Sequence, residues 1–296
     1  MTRIGFIGLG TMGQPMARHI AQNMPAGTSL ALNDRSVERA QPMLDLGASW
    51  AETARELAAT SDLVICMVPA IDHVRTVCDG PDGLLAGIQG PLTLVVCSSV
   101  AATDVRELDA WADELSDGRL RVVDAPVSGG QVGAEAGTLS IMVGGPEKLV
   151  GPVVEVLNLT GTAAHLGPLG AGQVAKACNQ AIVAATITAI AEASVVAERS
   201  GLDVGQLFEL LQGGYASSAV LKDKASRFAT KDYSPSGPLW FWIKDLKAYL
   251  AEAQATGTDS LVVGPILAAV EGLVESGRGD ADTAVIQEWI EQGGQV

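Results

Sequence analysis

The segment RIGFIGLGTMGQPMARHIAQN, Arg3–Asn23, carries the strongest fold signal in the sequence. Its apolar run Ile4–Ile7 is typical of a short buried strand and leads directly into the pattern Gly8-x-Gly10-x-x-Gly13. The first glycine permits a tight turn, the second lets the backbone approach a pyrophosphate, and the third lets the next helix pack against the strand. The start of that helix offers N–H groups to an anion. The segment therefore predicts the first strand, turn and helix of a dinucleotide-binding domain.

A second apolar run and the acidic residue that ends it support this prediction. The run Ser29–Asp34 closes with Asp34 about 20 residues after the last glycine, where a carboxylate would bind the ribose hydroxyls. The negative charge of Asp34 would repel a 2′-phosphate, which favours NAD. Arg35 follows directly and could accept such a phosphate, so NADP stays an alternative.

Further β-branched runs follow at intervals that leave room for helices. They are Asp62–Pro69, Leu92–Ser99 and Leu120–Pro126. Continuous apolar strands of this kind are typical of a parallel sheet covered on both faces, whose ligands bind beyond the carboxyl ends of the strands. For two candidates at that edge, His73 and Ser99, an ordinary role in a loop is the alternative. The residues of the first half that we predict to contact the cofactor are Gly8, Leu9, Gly10, Thr11, Met12, Gly13, Asn33, Asp34, Arg35, Val68, Pro69, His73 and Ser99.

The stretch DAPVSGGQVGAEAGTLSIMVGG, residues 124–145, contains a second glycine-rich loop. Ser128, Gly129 and Gly130 follow a predicted strand directly, and a hydroxyl with two unobstructed N–H groups can bind a small anion such as a carboxylate. A tight turn into the next strand is the alternative for the same three residues.

The character of the chain changes after about Thr162, where β-branched runs give way to long stretches of helix-forming residues. The predicted fold class is α/β, with an N-terminal Rossmann doubly wound parallel sheet over residues 1–163 and an all-helical domain over residues 164–296. The second domain would begin with one long helix from about Gly172 to Ser200. Because that helix is apolar on nearly all sides, we expect it to be covered all round, in part by a second subunit.

The start of this helix, GAGQVAKACNQ, carries three polar residues on an otherwise apolar element. Spacings of three and four residues put Lys176, Asn179 and Gln180 on one helix face. A buried ammonium with two amides is costly unless it is used, which indicates an active site. The alternative is that the Lys176 side chain extends to solvent.

Composition argues against several classes of function. The formal net charge of −15 over 296 residues argues against a nucleic-acid partner. The three histidines lack metal-binding spacing, so we expect no metal site. The four cysteines form no CxxC pair and are predicted to be buried free thiols. Together with an N-terminus unlike a signal peptide, they predict a cytoplasmic protein. The apolar run Ala181–Ala197 is interpreted as a buried helix rather than a membrane span.

Four motifs in this order, GFIGLGTMGQPMA, DAPVSGGQVGAEAGTLSIMVGG, GAGQVAKACNQ and WIKDL, resemble the β-hydroxyacid dehydrogenase family. This family includes 3-hydroxyisobutyrate dehydrogenase, tartronate semialdehyde reductase and glyoxylate/succinic semialdehyde reductases. The resemblance covers essentially the whole chain. It implies an NAD(P)-dependent oxidoreductase that interconverts a small 3-hydroxy acid and its semialdehyde, works as a homodimer or homotetramer, and has its active site between the two domains.

The resemblance also implies roles for individual residues. Lys176 would be the catalytic lysine, and Ser128, Gly129 and Gly130 would bind the substrate carboxylate. Lys244 would reach the cofactor from the second domain. The amides implied to bind the substrate or position the lysine are those of Asn179 and Gln180.

Two departures from the family pattern bear on the substrate. Gln180 stands where many members have asparagine, as in proteins that resemble tartronate semialdehyde reductase. Trp240, Phe241 and Trp242 precede Lys244, and they indicate a bulkier, more apolar substrate if they line the pocket. An imine reductase on the same fold is the first alternative, although such enzymes typically lack a lysine at this position. A non-catalytic nucleotide sensor is the second.

Overall fold

The computed structural model describes residues 2–294, and within them a nine-stranded sheet confirms the predicted α/β class. The strand order is β3-β2-β1-β4-β5-β6-β8-β7, and β9 pairs with β8. Neighbours from β3 to β6 run parallel, whereas β8 runs antiparallel to β6 and β7. The strands are β1 Arg3–Ile7, β2 Ser29–Asn33, β3 Ser49–Trp50, β4 Leu63–Cys66, β5 Leu92–Val96, β6 Leu120–Asp124, β7 Val127–Ser128, β8 Leu139–Gly144 and β9 Gly161–Gly167.

Helices connect the strands and then make up the second half of the chain. The helices of the first half are α1 Gly13–Asn23, α2 Gln41–Leu44, α3 Ala54–Ala59, α4 Ile71–Cys78, α5 Leu84–Gly87, α6 Ala102–Ser116, α7 Gly130–Ala136 and α8 Glu147–Leu157. The helices of the second half are α9 Ala171–Arg199, α10 Val204–Leu211, α11 Ala219–Thr230, α12 Phe241–Ala255, α13 Val263–Leu273 and α14 Ile286–Glu291.

The sheet is buried on both faces, which explains why its strands are continuous apolar runs. Side chains alternate along β1, so Ile4 and Phe6 lie in the core beneath α1 and α8, while Ile7 lies in the core beneath α3, α4 and α6. Both cores consist mainly of aliphatic side chains with little exposure. Burial of this apolar area is the main force that holds the helices on the sheet.

The order of the strands reverses between β1 and β4. The chain runs from β1 outward to β2 and β3, then returns to the other side of β1 with β4, β5 and β6. Crevices for ligands form at the carboxyl ends of the strands at such a reversal. Gly8 follows β1 and Met67 follows β4, so both lie at this point.

The chain divides into two compact units between Lys176 and Ala177. The predicted boundary between residues 163 and 164 falls instead inside β9, which the sequence did not indicate because β9 is short of β-branched residues. Residue 1 and residues 295–296 of the predicted ranges lie outside the described residues. The second unit is all-helical, as predicted, and its core includes Ile187, Phe208, Trp242 and Leu246.

The long helix α9 closely follows the predicted range. Ile182 and Val196 are exposed in the single chain, so the cover expected from a second subunit stays a prediction. By length and composition α9 could also cross a membrane, a test that the core helix of a soluble protein passes as well. Its remaining apolar face contributes Ala184, Ile187 and Ala191 to the core of the helical unit.

Candidate active site

The glycine loop after β1 has the geometry that its sequence predicts. Gly8 has a φ of +95°, and a Cβ there would overlap the carbonyl oxygen of Met67. A Cβ at Gly13 would overlap the carbonyl oxygen of Gly8, so the helix α1 packs directly on the turn. Gly10 is exposed, and a Cβ there would meet no atom of the described residues within 4 Å. The space above Gly10 therefore suits a phosphate group, and no described side chain caps the start of α1.

Asp34 joins this loop to the end of β2. Its Oδ2 accepts a hydrogen bond of 2.7 Å from the Leu9 N–H, and its Oδ1 accepts one of 3.0 Å from the Ser36 N–H. Arg39 Nη1 lies 3.5 Å from Oδ1, whereas Arg35 is exposed. A carboxylate has further lone pairs, so Asp34 can still accept bonds from ribose hydroxyls. These residues fit the ribose of a dinucleotide.

The other predicted cofactor residues of the first unit follow β1, β2, β4 and β5. The Asn33 carbonyl accepts the Gly8 N–H at 3.1 Å, and the Asn33 side chain donates to the Ala51 carbonyl at 2.9 Å. Val68 and Ser99 are half-buried at the ends of their strands. The exposed members of the set, Thr11, Pro69 and His73, lie in the loops or helices that follow β1 and β4, with the half-buried Met12 beside Thr11.

The second glycine-rich loop links β7 to α7. Ser128 is the last residue of β7 and is half-buried, while Gly129 and Gly130 are exposed with φ of +129° and +59°. The alternative of a tight turn into the next strand is wrong, because α7 lies between this loop and β8. The binding of a carboxylate by these three residues stays a prediction.

The first turn of α9 is fixed to the sheet by buried polar groups. The carboxylate of Asp124, at the end of β6, accepts the N–H of Gly170 at 2.7 Å and that of Gln173 at 2.8 Å. Burial raises the pKa of Asp124 to about 6, although the N–H donors oppose this shift. The Gln173 side chain donates to the Ser98 carbonyl at 2.9 Å and accepts the Val100 N–H at 3.0 Å. These contacts place the start of α9 at the carboxyl ends of β5 and β6.

Lys176 lies one turn after Gln173 and is half-buried. Beyond it, Asn179 donates to Gln180 Oε1 at 3.0 Å, and Gln180 donates to Asp245 Oδ2 at 2.7 Å. The predicted amide cluster therefore exists on α9 and continues to Asp245 on α12. Lys244, also on α12, is exposed, and its Nζ lies 3.9 Å from Asp245 Oδ1.

The three aromatic residues before Lys244 separate in the structure. Trp242 is buried in the core of the helical unit. Trp240 and Phe241 are exposed and stack on each other, with ring centroids 3.9 Å apart. Trp242 therefore serves the core, whereas only the stacked pair could meet a ligand.

Two other groups of side chains concern metal-binding and thiol chemistry. Within the described residues no group of three or more metal-ligating side chains exists. Of the four free cysteines, Cys66, Cys78 and Cys97 are buried as predicted, whereas Cys178 is exposed. The expectation of a buried thiol is wrong for Cys178 in the single chain, because this residue lies on an exposed face of α9.

The structure adds residues that the sequence interpretation did not single out. Asp124 and Gln173 stand inside two of the quoted motifs, and Asp245 follows Lys244 directly. A carboxylate at the end of an apolar strand was the signal for Asp124, since a buried charge requires donors. Gln173 and Asp245 could not be found without knowing which strand end or helix lies beside them.

Comparisons with known proteins agree with this geometry. Residues 3–170 match the family described as the NAD binding domain of 6-phosphogluconate dehydrogenase. Residues 170–290 match the NAD-binding family of NADP-dependent 3-hydroxyisobutyrate dehydrogenase. The two matches meet at Gly170, whose N–H is bound by Asp124.

Individual relatives cover most of the chain. The 2-hydroxy-3-oxopropionate reductase of Escherichia coli K12 is 37% identical over 254 residues, which are 86% of this chain and 85% of the relative. The NAD-dependent L-serine dehydrogenase of Pseudomonas aeruginosa PAO1 is 36% identical, with 97% of each chain covered. The solved structure of Mycobacterium tuberculosis 3-hydroxyisobutyrate dehydrogenase with L-serine has a TM-score of 0.82 at 30% identity, covering 98% of this chain and 99% of that one. The chain therefore belongs to the β-hydroxyacid dehydrogenase family and is an NAD(P)-dependent oxidoreductase of the hydroxyacid and semialdehyde class.

Proposed function

We propose that the chain interconverts a small 3-hydroxy acid and its semialdehyde, with Lys176 as the general acid and base. One observation carries this proposal: the start of α9 is anchored to the ends of β5 and β6. The glycine loop after β1 lies at the same carboxyl edge of the sheet. A half-buried lysine one turn from this anchor is therefore on the side of the sheet where the dinucleotide is expected to bind.

Each polar group has a role in the proposed reaction. When bound, the nicotinamide ring supplies the acceptor or donor of the hydride. In oxidation, the neutral Lys176 amine takes the proton of the substrate hydroxyl; in reduction, the ammonium returns it to the carbonyl oxygen as negative charge develops there. Ser128 and the N–H groups of Gly129 and Gly130 bind the substrate carboxylate, which fixes the reacting carbon. Asn179 and Gln180 orient the substrate or the lysine.

Asp34 supports NAD as the preferred cofactor. Its carboxylate is held toward the glycine loop by the Leu9 N–H, and a 2′-phosphate there would meet a negative charge. The exposed Arg35 keeps NADP as the alternative. Lys244 is proposed to contact the cofactor as well.

The relatives indicate the size of the substrate. Their names specify 2-hydroxy-3-oxopropionate, 3-hydroxyisobutyrate and L-serine. The first and the last are three-carbon acids, and 3-hydroxyisobutyrate is a three-carbon acid with one added methyl group. Because Trp242 is buried in the core, it gives no support for a bulky substrate. Exposed Ile182 and Val196 on α9 favour a homodimer or homotetramer, which light scattering would measure directly.

The proposal is tested by initial rates with NAD and NADP on matched substrates. The acids are L-serine, 3-hydroxyisobutyrate and, for reduction, 2-hydroxy-3-oxopropionate; the methyl ester of 3-hydroxyisobutyrate is the control without a carboxylate. We expect the ester to lose roughly 10- to 100-fold in kcat/KM, the value of one or two hydrogen bonds to a charged group. We expect NAD to be better than NADP by about tenfold or more, equivalent to about 1.4 kcal/mol. Equal turnover of acid and ester, or turnover of a cyclic imine alone, would contradict the proposal.

A further inference from the structure

Two buried side chains that take no part in the proposed chemistry fix the helix that carries Lys176. Asp124 is fully buried and Gln173 is 2% exposed. Asp124 accepts the N–H of Gly170, just before α9, and that of Gln173 in its first turn. The Gln173 side chain binds the Ser98 carbonyl and the Val100 N–H, which both follow β5. The network continues to the loop after β4, because the Ser98 hydroxyl donates to the Val68 carbonyl at 2.5 Å.

Close backbone packing leaves this helix start no room to move. A Cβ on Gly172 would overlap the carbonyl oxygen of Met142 on β8. A Cβ on Gly144 would lie 2.5 Å from Asp124 Oδ1 and 2.7 Å from the Gly172 N–H nitrogen. The first turn of α9 therefore rests on the backbone of β8, and Asp124 fills the remaining space between them.

A helix transmits the position of its first turn to the next. Lys176 follows Gln173 by three residues, so the two side chains lie on neighbouring parts of one face. An α-helix rises 1.5 Å per residue, which puts the Lys176 Cα about 4.5 Å along the axis from that of Gln173. Any shift or tilt of the first turn would move the ammonium by a similar distance.

We propose that Asp124 and Gln173 form a clasp that sets the position of the Lys176 ammonium at the carboxyl edge of the sheet. This inference rests on the proposed function, in which Lys176 is the acid and base. Neither clasp residue is assigned a contact with substrate or cofactor; both are positioning residues. Their effect is on the geometry of proton transfer, so they act on kcat through the lysine. Gln173 also holds the segment that contains Ser99, so only Asp124 is expected to leave cofactor binding unchanged.

The test is a double-mutant cycle between Asp124→Asn and Lys176→Ala. The asparagine keeps the shape of the side chain but replaces one accepting oxygen by an NH₂ group. That group cannot accept the hydrogen bond of a backbone N–H. Asp104→Asn is the matched control, because Asp104 also accepts a backbone N–H, that of Ala101 at 3.0 Å, at the start of α6. Each variant is measured for kcat with the best 3-hydroxy acid, for KM of the nicotinamide cofactor, and for NADH binding by fluorescence.

We expect Asp124→Asn to lower kcat roughly 10- to 100-fold, as for a reacting group displaced by up to 1 Å, with NADH binding unchanged. In the Lys176→Ala background the same substitution should have almost no further effect, because the group that it displaces is gone. Asp104→Asn should retain the wild-type kcat. If Asp124→Asn does not fold, Gln173→Met should show the same loss of kcat and the same dependence on Lys176. This substitution removes both hydrogen bonds to the segment after β5 and keeps the length of the side chain.

Two results would overturn the clasp. One is an equal loss of kcat from Asp124→Asn, or from Gln173→Met, in the presence and absence of Lys176. The other is weaker NADH binding with an unchanged kcat in Asp124→Asn. A Lys176→Ala enzyme with the wild-type kcat would instead contradict the proposed function itself, which separates the two failures.

Discussion

Asp124 in the sheet unit and Asp282 in the helical unit are both fully buried carboxylates, yet their surroundings differ. Asp124 is held by backbone N–H groups at the start of α9. Asp282 is held by the Lys224 ammonium at 2.6 Å, the Ser236 hydroxyl and the Ala284 N–H. The pKa values move in opposite directions. Burial raises the pKa of Asp124 to about 6, whereas for Asp282 the hydrogen bonds from Lys224 and Ser236 outweigh burial and lower it.

The partners of a buried carboxylate determine whether it positions a helix or stabilises a domain. The N–H groups at a helix start stabilise a buried carboxylate only in part. The same hydrogen bonds hold the backbone of that helix start in place. A buried cation opposes the effect of burial more strongly and ties two side chains together. Asp282 also caps a helix start, but only that of the short 3₁₀ helix Thr283–Val285. Asp124 therefore suits the positioning of α9, and Asp282 suits the stability of the helical unit.

The largest effect on stability is expected at Asp282. Asp282→Ala leaves the Lys224 ammonium, whose side chain is 13% exposed, without its buried partner. We expect a loss of about 3–5 kcal/mol in the free energy of unfolding, the usual cost of removing one member of a buried ion pair. Urea denaturation measures this loss, and kcat per folded molecule should stay at the wild-type value.

Asp223→Ala is the control for that substitution. Asp223 lies 3.7 Å from the same ammonium, but its side chain is 74% exposed, and exposed ion pairs contribute little. Comparable losses from the two variants would show that the buried contact is not what stabilises this unit, and the contrast with Asp124 would fail.

A smaller effect is expected from pH. The folded-state pKa of Asp124, about 6, exceeds its ordinary value of 3.8, so its contribution to stability falls as the pH rises from about 4 to about 6. The pKa of Asp282 is lowered, so its contribution is complete above pH 3.8 and is lost only as the pH falls through the folded-state pKa. Urea denaturation of wild type, Asp124→Asn and Asp282→Asn at several pH values separates the two.

Between pH 4 and pH 6.5 the stability of wild type relative to Asp124→Asn should fall, by roughly 3 kcal/mol at most. Relative to Asp282→Asn it should stay level across the same window. A level profile for Asp124, or a rising one, would mean that the N–H donors of α9 outweigh burial and that the two carboxylates are alike.

Much of the fold follows from the sequence. The strands β1, β2, β4, β5 and β6 are continuous apolar runs because both faces of the sheet are covered, and this pattern is visible without a structure. The glycine loop is equally visible, since backbone overlap at Gly8 and Gly13 requires the residue type. β9 was not predicted, because most of its side chains are small or exposed and its strand state depends on pairing with β8.

The site was only partly predictable. Helical periodicity placed Lys176, Asn179 and Gln180 on one face, and the loop signals placed Ser128 to Gly130 after a strand. The groups that hold the start of α9 are 46 to 75 positions away from it in the chain. No local sequence pattern encodes such contacts. The aromatic run before Lys244 shows the same limit, because only packing decides that Trp242 is buried while Trp240 and Phe241 are exposed.

Lys176 is proposed to move the proton of the reaction. The most direct measurement is the single-turnover rate of NADH formation from a 3-hydroxy acid, followed by absorbance after rapid mixing, for wild type and Lys176→Ala. Lys148→Ala is the control, because Lys148 is exposed and lies beside Thr2 and Asp62 at the amino ends of β1 and β4. We predict that Lys176→Ala slows hydride transfer roughly 10²- to 10⁴-fold, the usual contribution of a general base, while Lys148→Ala does not. A Lys176→Ala enzyme that transfers hydride as fast as the wild type would contradict the account.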